Sequence, residues 1–318
     1  MNNLAIPILL ASAFILAAST PAQDDPPAWA YVVNPPGFKP PPDDGTIRHV
    51  PDSTAGWTDT QLRDFYFSPD WHPNDHPPLP EVVAHGRKPE VFACGFCHRA
   101  EGTGGPENAR LAGLPEAYFV QQMADFKNGA RKGTRGPTAN MIAVAKAASD
   151  AEVAAAAAYF ASLKPKPLII VKETDSVPKT YVMNWILTPV SDKETEPLGH
   201  RIIETPENLE QFESRDTRSK FVAYVPKGSL AKGETLAKSG VNGLATTQCT
   251  LCHGPDLKGL GPIPGIAGRS PSYIFRQLYD IQHGQRTGPG ALPMKQVVDK
   301  LSEDDMLAVT AYAASLTP

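Results

Sequence analysis

The sequence predicts a mainly α-helical protein: two homologous small domains, a strand-containing insert between them, and a proline-rich arm ahead of the first. Three observations carry this reading. A C-x-x-C-H motif occurs twice, at Cys94–His98 and Cys249–His253, and uses all four cysteines of the 318-residue chain. The sequence around each copy repeats at a nearly constant offset. Fourteen of the 33 prolines fall in residues 21–80, a density that regular helix or central strand does not tolerate.

Length alone suggests about two domains of ordinary size. The hydrophobic fraction of 41% and charged fraction of 20% describe a foldable, soluble chain. The net charge of −4 gives nucleic-acid binding no electrostatic support. At the amino terminus, Leu4 to Ala18 is almost uninterruptedly apolar and no charged side chain precedes Asp24. That run is shorter than the roughly 20 residues needed to span a bilayer. It suits a signal h-region followed by small residues, although the segment before it lacks a basic side chain. Residues 1–22 are therefore expected to be a signal peptide, cleaved near Ala22 or Gln23, and the protein to be periplasmic. An uncleaved signal would leave it membrane-anchored.

The repeat extends well beyond the cysteines. Tyr118, Gln122, Asp125, Gly129 and Arg131 answer Tyr273, Gln277, Asp280, Gly284 and Arg286 at an offset of 155. After that point the offset is 153, matching Met141 to Met294, Tyr159 to Tyr312 and Leu163 to Leu316. A repeat of this length means a duplicated domain rather than a solenoid. In each copy Pro115 or Pro271 suits a first helical turn, and Gly129 or Gly284 suits the stop. The closing helix opens on Ser149-x-x-Glu152 or Ser302-x-x-Asp305, both like capping boxes. It continues with apolar residues at helical spacing. The expected organisation is an arm at 23–80, a first domain at 81–164, an insert at 165–227 and a second domain at 228–318.

Strand-like runs mark the insert at Leu168–Val171, Tyr181–Leu187 and Phe221–Val225. The second domain has an opening helix around Leu230–Ser239, whereas the first offers only Glu81–His85. In the arm, Trp57–Phe67 reads as one short helix capped near Thr58 or Asp59. The remainder reads as extended, proline-stiffened chain, either wrapped on its own first domain or tethering a partner.

C-x-x-C-H is the haem-attachment pattern. Two thiols on one turn can add to the two vinyl groups of a haem, and the following histidine then lies beneath the iron. A zinc half-site or a redox dithiol competes for a single copy; two copies in an exported chain favour haem. Each copy also has a methionine after a Gly/Pro-bearing loop (Gly133–Pro137; Gly288–Pro293). Met141 and Met294 are expected as distal ligands, since thioether sulfur favours Fe(II). Met123, Met183 and Met306 read as packing residues. His283 reads as a surface residue, and His72, His76 and His85 as solvated or structural.

On these residues the chain resembles the two-domain, dihaem cytochrome c4 family, a branch of the class I c-type cytochromes. The two C-x-x-C-H motifs, the Ala-Gly…Tyr…Gln…Gly-x-Arg helices, the two methionines and the closing Ala-Tyr-x-Ala-Ser-Leu segments carry the resemblance. It covers residues 81–164 and 228–318. It implies two class I cytochrome c domains with two covalently bound haem c, attached at Cys94, Cys97, Cys249 and Cys252. His98 and His253 would be proximal ligands, Met141 and Met294 distal ones. Arg131 and Arg286 match a family position near the haem, which implies contact with its propionates; a surface role is the alternative.

The implied function is carriage of single electrons between periplasmic redox partners. A dehydrogenase or other donor would lie on one side and a terminal oxidase or other acceptor on the other. Stable association as the cytochrome subunit of a dehydrogenase complex is the alternative. Catalysis of the dihaem-peroxidase type is disfavoured by two matching methionines, and a thiosulfate-oxidising cytochrome by the lack of a spare cysteine. The chain departs from the family in several features, among them the short Glu81–His85 in place of an opening helix in the first domain. The long insert means that close pairing of the haems is not assumed. Pro264, whose carbonyl would orient His253, answers Ala109, which puts the equivalent contact to His98 in doubt.

Overall fold

The computed structural model describes residues 25–133, 138–191, 193–244 and 247–318. The expected signal peptide, residues 1–22, lies outside the described residues. The first helix, α1 (Asp59–Leu62), is one turn set by a capping box between Thr58 and Gln61. After Pro80 comes α2 (Glu81–Ala84), then α3 (Cys94–His98), α4 (Glu116–Asn128), α5 (Thr138–Ala147) and α6 (Asp150–Ser162). Gly129 ends α4 in the left-handed region at φ 80°, where a side chain would be strained. Ser149 and Glu152 close the capping box that starts α6. Pro115 lies one position earlier than expected, at the N-cap of α4. The α4–α6 pair packs around Phe119, Tyr159 and Phe160, with Val83 of α2 in the same core.

The second helical unit repeats this plan. It comprises α8 (Ser229–Ser239), α9 (Cys249–His253), α10 (Pro271–Gln282), α11 (Leu292–Val298) and α12 (Glu303–Ser315), following α7 (Leu209–Glu213) of the insert. Its core gathers Phe275, Tyr279, Leu257 and the fully buried Met306, which is a packing residue as expected. Ser302 and Asp305 form the capping box of α12. His283 is half-buried rather than a surface residue: its ring stacks on Tyr279 at 3.8 Å.

Between the units, β1 (Ile169–Glu173), β2 (Ser176–Pro178), β3 (Thr180–Met183), β4 (Ile186–Pro189), β5 (Thr195–Pro197), β6 (Ile203–Pro206) and β7 (Phe221–Val225) confirm that the insert is strand-containing. Its main sheet has the order β1-β7-β6, with β1 parallel and β6 antiparallel to β7. Tyr181–Leu187, expected as one strand, is instead a hairpin of β3 and β4. Asn184 and Trp185 take φ of 50° and 69° at its tip, the double left-handed geometry of a two-residue hairpin turn.

The insert is bonded to both helical units. Arg99 donates to the Asp216 carbonyl at 2.9 Å, and Thr217 donates to Glu101 at 2.6 Å. On the other side, Glu204 of β6 accepts from Ser270 and Ser272 at the start of α10. The arm likewise touches both units. Trp29 packs on Phe275 at 4.6 Å, while Tyr31 donates to Asp280 at 2.8 Å. Further along, Ala93 donates to the Phe65 carbonyl at 2.9 Å. The arm is thus not confined to the first unit. His72, read as solvated or structural, is buried and bonded to the buried Asp216 at 3.0 Å.

Helix α8 crosses α12 closely. A Cβ built on Gly233 would lie 2.0 Å from the Ala308 carbonyl oxygen, a backbone atom that cannot swing away. Gly233→Ala is therefore expected to destabilise the protein by about 1–3 kcal/mol through overpacking, despite alanine's better helix propensity. Equal or higher stability in chemical denaturation would show that α8 moves freely on α12.

Candidate functional site

Both C-x-x-C-H motifs form a single helical turn, which places the paired thiols and the histidine on one short element. His98 Nδ1 bonds the Ala109 carbonyl at 2.8 Å, and His253 Nδ1 bonds the Pro264 carbonyl at 2.8 Å. The contact expected to be in doubt is therefore present in both copies. Its acceptor is a backbone carbonyl, which alanine supplies as well as proline. With Nδ1–H donating to that carbonyl, Nε2 is the nitrogen left to bind a metal.

Burial pushes the His98 pKa down to about 4, assisted by the charge of Arg131 and opposed by the Ala109 carbonyl. Burial lowers His253 in the same direction. Both imidazoles are thus held in the neutral, ligating form. Burial also raises Cys94 to about 12, and Cys97 and Cys249 each to about 11. A redox dithiol needs a depressed thiol pKa, so that alternative fits poorly. Among the described residues no three His, Cys, Asp or Glu side chains converge to hold an ion.

A cavity of about 590 Å³ opens beside both motifs. Its mostly apolar wall collects Cys94, Cys97, His98, Cys252 and His253, together with Met141 from α5 and Met294 from α11. Cys249 is off this wall and packs against the second core. Apolar walls, paired thiols on a turn and imidazoles presenting Nε2 fit a covalently attached haem. The volume is within the range of small-molecule and cofactor sites.

Arg131 and Arg286 border the same cavity and do something the sequence did not reveal. Arg131 donates to Gln122 of its own unit at 2.9 Å and to Gln277 of the other at 2.8 Å. Arg286 mirrors it, donating to Gln277 at 3.0 Å and to Gln122 at 2.8 Å. Each also donates to the opposite tyrosine: Arg131 to Tyr273 at 3.1 Å, Arg286 to Tyr118 at 3.4 Å. Arg131 and Arg286 pair as an antiparallel bridge, flanked by Lys132 N to the Gln285 carbonyl and Thr287 N to the Ala130 carbonyl. The two units therefore meet as partners in an isologous interface do. Burial would raise the Tyr273 phenol, but Arg131, Arg286 and Arg269 outweigh it and leave its pKa below the ordinary value.

A second, unrepeated clasp comes from Arg110, which donates to the carbonyls of Gly268 and Ala267 at 3.0 Å each, while Arg269 donates to the Arg110 carbonyl at 2.6 Å. The repeat offered a signal for the first clasp, because Tyr118, Gln122 and Arg131 recur together. It offered none for Arg110, whose aligned position is Gly265.

A family model described as Cytochrome c matches residues 86–164. A cytochrome c-554(548) of Halomonas halodenitrificans is 37% identical over 68 residues, which are 21% of this chain and 82% of that protein. Over a longer span, cytochrome c4 of Pseudomonas aeruginosa is 26% identical across 231 residues, 71% of this chain and 85% of that one. The chain belongs to the cytochrome c4-like family of c-type cytochromes. A protein named thiosulfate dehydrogenase electron acceptor, from Thiomonas intermedia, is 29% identical over 231 residues, 71% of this chain and 80% of that protein. The cytochrome carries covalently bound haem c and acts in electron transfer.

One buried carboxylate on the cavity wall is not part of any motif. Glu204 accepts from Ser270 Oγ and Ser272 Oγ at 2.7 Å each, and its Oε1 has no hydrogen-bond partner. Burial raises its pKa, against the serine hydrogen bonds and the charge of Arg276. The folded state therefore holds this proton more tightly than the unfolded chain. Stability from this group is present below the ordinary carboxylate pKa of 4.5 and is lost as pH rises through the raised folded value. Glu204→Gln keeps an acceptor for the serines and is expected to gain stability over wild type at pH 8 but not at pH 4. A variant-minus-wild-type stability difference that is flat with pH would remove this assignment.

Proposed function

We propose that this cytochrome is an exported dihaem electron carrier, with one haem on each C-x-x-C-H turn. The observation that carries the reading is the equivalence of the two sites: the same turn, the same histidine-to-carbonyl bond and a matching methionine, on one cavity wall. In this reading residues 81–164 and 228–318 are two class I domains, linked by the 165–227 insert and preceded by the 23–80 arm. Cys94 and Cys97 attach the first haem, Cys249 and Cys252 the second.

Haem supplies a one-electron Fe(III)/Fe(II) couple, and this chain's residues tune it. His98 and His253 present Nε2 from rings fixed by backbone carbonyls. Met141 and Met294 offer thioether sulfur, which raises the potential. Arg131 and Arg286 place guanidinium charge at the cavity border, where propionates would meet it. The apolar wall keeps water from the ligands. Matching methionines leave neither site built for an open axial position, so the carrier reading is preferred to a peroxidase.

Among the described residues no helix is long and apolar enough to cross a membrane. Location in the periplasm follows from the amino-terminal signal expected at residues 1–22. Donor and acceptor are other redox proteins. The relative named for accepting electrons from thiosulfate dehydrogenase favours a periplasmic dehydrogenase as donor, either free or in stable complex.

The test is a spectroscopic redox titration of the purified protein, with haem content and the ferric sulfur-to-iron charge-transfer band recorded. Two low-spin haems with that band are expected. One haem, or a high-spin site without the band, would overturn the dihaem carrier. Met294→Ala is expected to lower one of two potentials by on the order of 100 mV, within the roughly 0.8 V that axial ligands command, and to leave the other in place. An unchanged titration would remove Met294 from the ligand set.

A further inference from the structure

We propose that electrons exchanged with other proteins pass through the second site alone, at an uncharged apolar face centred on Leu251. The fitting partner is a redox protein that presents an uncharged apolar patch over its own cofactor. The inference rests on the dihaem reading above and uses the repeat as an internal comparison.

Phe96 and Leu251 hold the same position, between the two cysteines of their motifs. Phe96 is 4% exposed and Leu251 60% exposed. The difference has an identifiable cause. The arm lays Phe65 against Phe96 with ring centroids 4.6 Å apart, and Phe65 also meets Phe92 at 4.7 Å. From the insert, Arg215 stacks over the Phe96 ring at 3.7 Å, donates to the Phe96 carbonyl at 2.9 Å and donates to the Leu62 carbonyl at 2.8 Å. Both additions to the duplicated plan thus close over the first motif. Even the residue after that motif is drawn in. Arg99 stands at φ 65°, where its counterpart is Gly254, and is held there by its bond to the Asp216 carbonyl.

Nothing comparable covers the second motif among the described residues. Leu251 and Cys252 are exposed, and so are Leu244, Leu260 and Leu292. Leu260 sits on the hairpin of β8 (Gly259–Leu260) and β9 (Ile263–Pro264), which packs on α9. Leu292 opens the helix that carries Met294. Exposed apolar side chains on the motif itself and on the hairpin packed against it mark an interaction site.

The charge pattern selects the partner. Residues 239–255, 259–268 and 287–294 contain no Asp, Glu, Lys or Arg. Only Asp256 and Lys258, of opposite sign, stand between the first two runs. At the edges, Lys238 is paired with Glu234, and Lys295 with Asp299. Such a face offers no electrostatic steering, so it matches an uncharged apolar patch and not an acidic or basic one.

The test measures intermolecular electron transfer between the reduced holoprotein and a blue-copper protein whose copper is ringed by uncharged apolar residues. Leu251→Glu is expected to cut the second-order rate constant by about tenfold or more. Phe65→Glu, also at a part-exposed position, is expected to leave it within about twofold. The wild-type rate should vary by less than roughly twofold between about 10 mM and 500 mM salt, since no charge is there to screen. An unaffected Leu251→Glu rate, an equal loss in Phe65→Glu, or a steep salt dependence would each overturn the proposal. Haem content and the sulfur-to-iron band, recorded for every variant, separate the two readings. Their failure in wild type defeats the dihaem carrier, whereas intact haems with an unaffected rate defeat the Leu251 face alone.

Discussion

The crossed hydrogen bonds of Arg131 and Arg286 are the constraint on which the remaining geometry depends. Each guanidinium spans a glutamine of its own unit and a glutamine of the other, so neither unit satisfies its arginine alone. A fork of fixed donors suits this bridging role in a way that a lysine ammonium would not. The interface is reciprocal because the chain is duplicated. Within this clasp, each arginine, glutamine and tyrosine that binds across the approximate two-fold axis is answered by its counterpart. A consequence is that the two motifs open on the wall of one cavity.

Departures from that symmetry are local and instructive. Arg110 clasps Gly268 and Ala267 with no equivalent from the other side. The arm and insert add a second layer to the first unit and leave the second unit bare around α9. Duplication explains why the sites share their chemistry. The arm and insert explain how two similar sites come to face different surroundings. Arm and insert each make bonds to both units, so they also brace the interface from outside.

Much of the site was legible because its chemistry is local in sequence. A C-x-x-C-H turn, an S-x-x-E or S-x-x-D cap and a glycine stop each declare themselves within five residues, and all appear in the structure. The contacts that were not legible join distant segments. His72 meets Asp216 and Arg215 meets Phe96 across more than a hundred residues, and neither leaves a periodic trace. The hairpin at Asn184-Trp185 was missed because Asn-Trp is an unusual pair for two left-handed residues. Residue identity puts the His98 contact in doubt, because Ala109 stands where Pro264 does, yet a backbone carbonyl accepts equally well from either residue. Arg131 and Arg286 are expected from the sequence as propionate neighbours or surface residues; the structure makes them the interface between the two units.

The most direct test of a reciprocal interface that sets the two proposed haem sites on one cavity is magnetic. Electron paramagnetic resonance of the fully oxidised holoprotein reports whether the two ferric centres sense one another. A spectrum shaped by their mutual interaction, which simplifies when one centre is reduced, is expected. Two independent ferric signals, unchanged in shape by reduction of either centre, would contradict it.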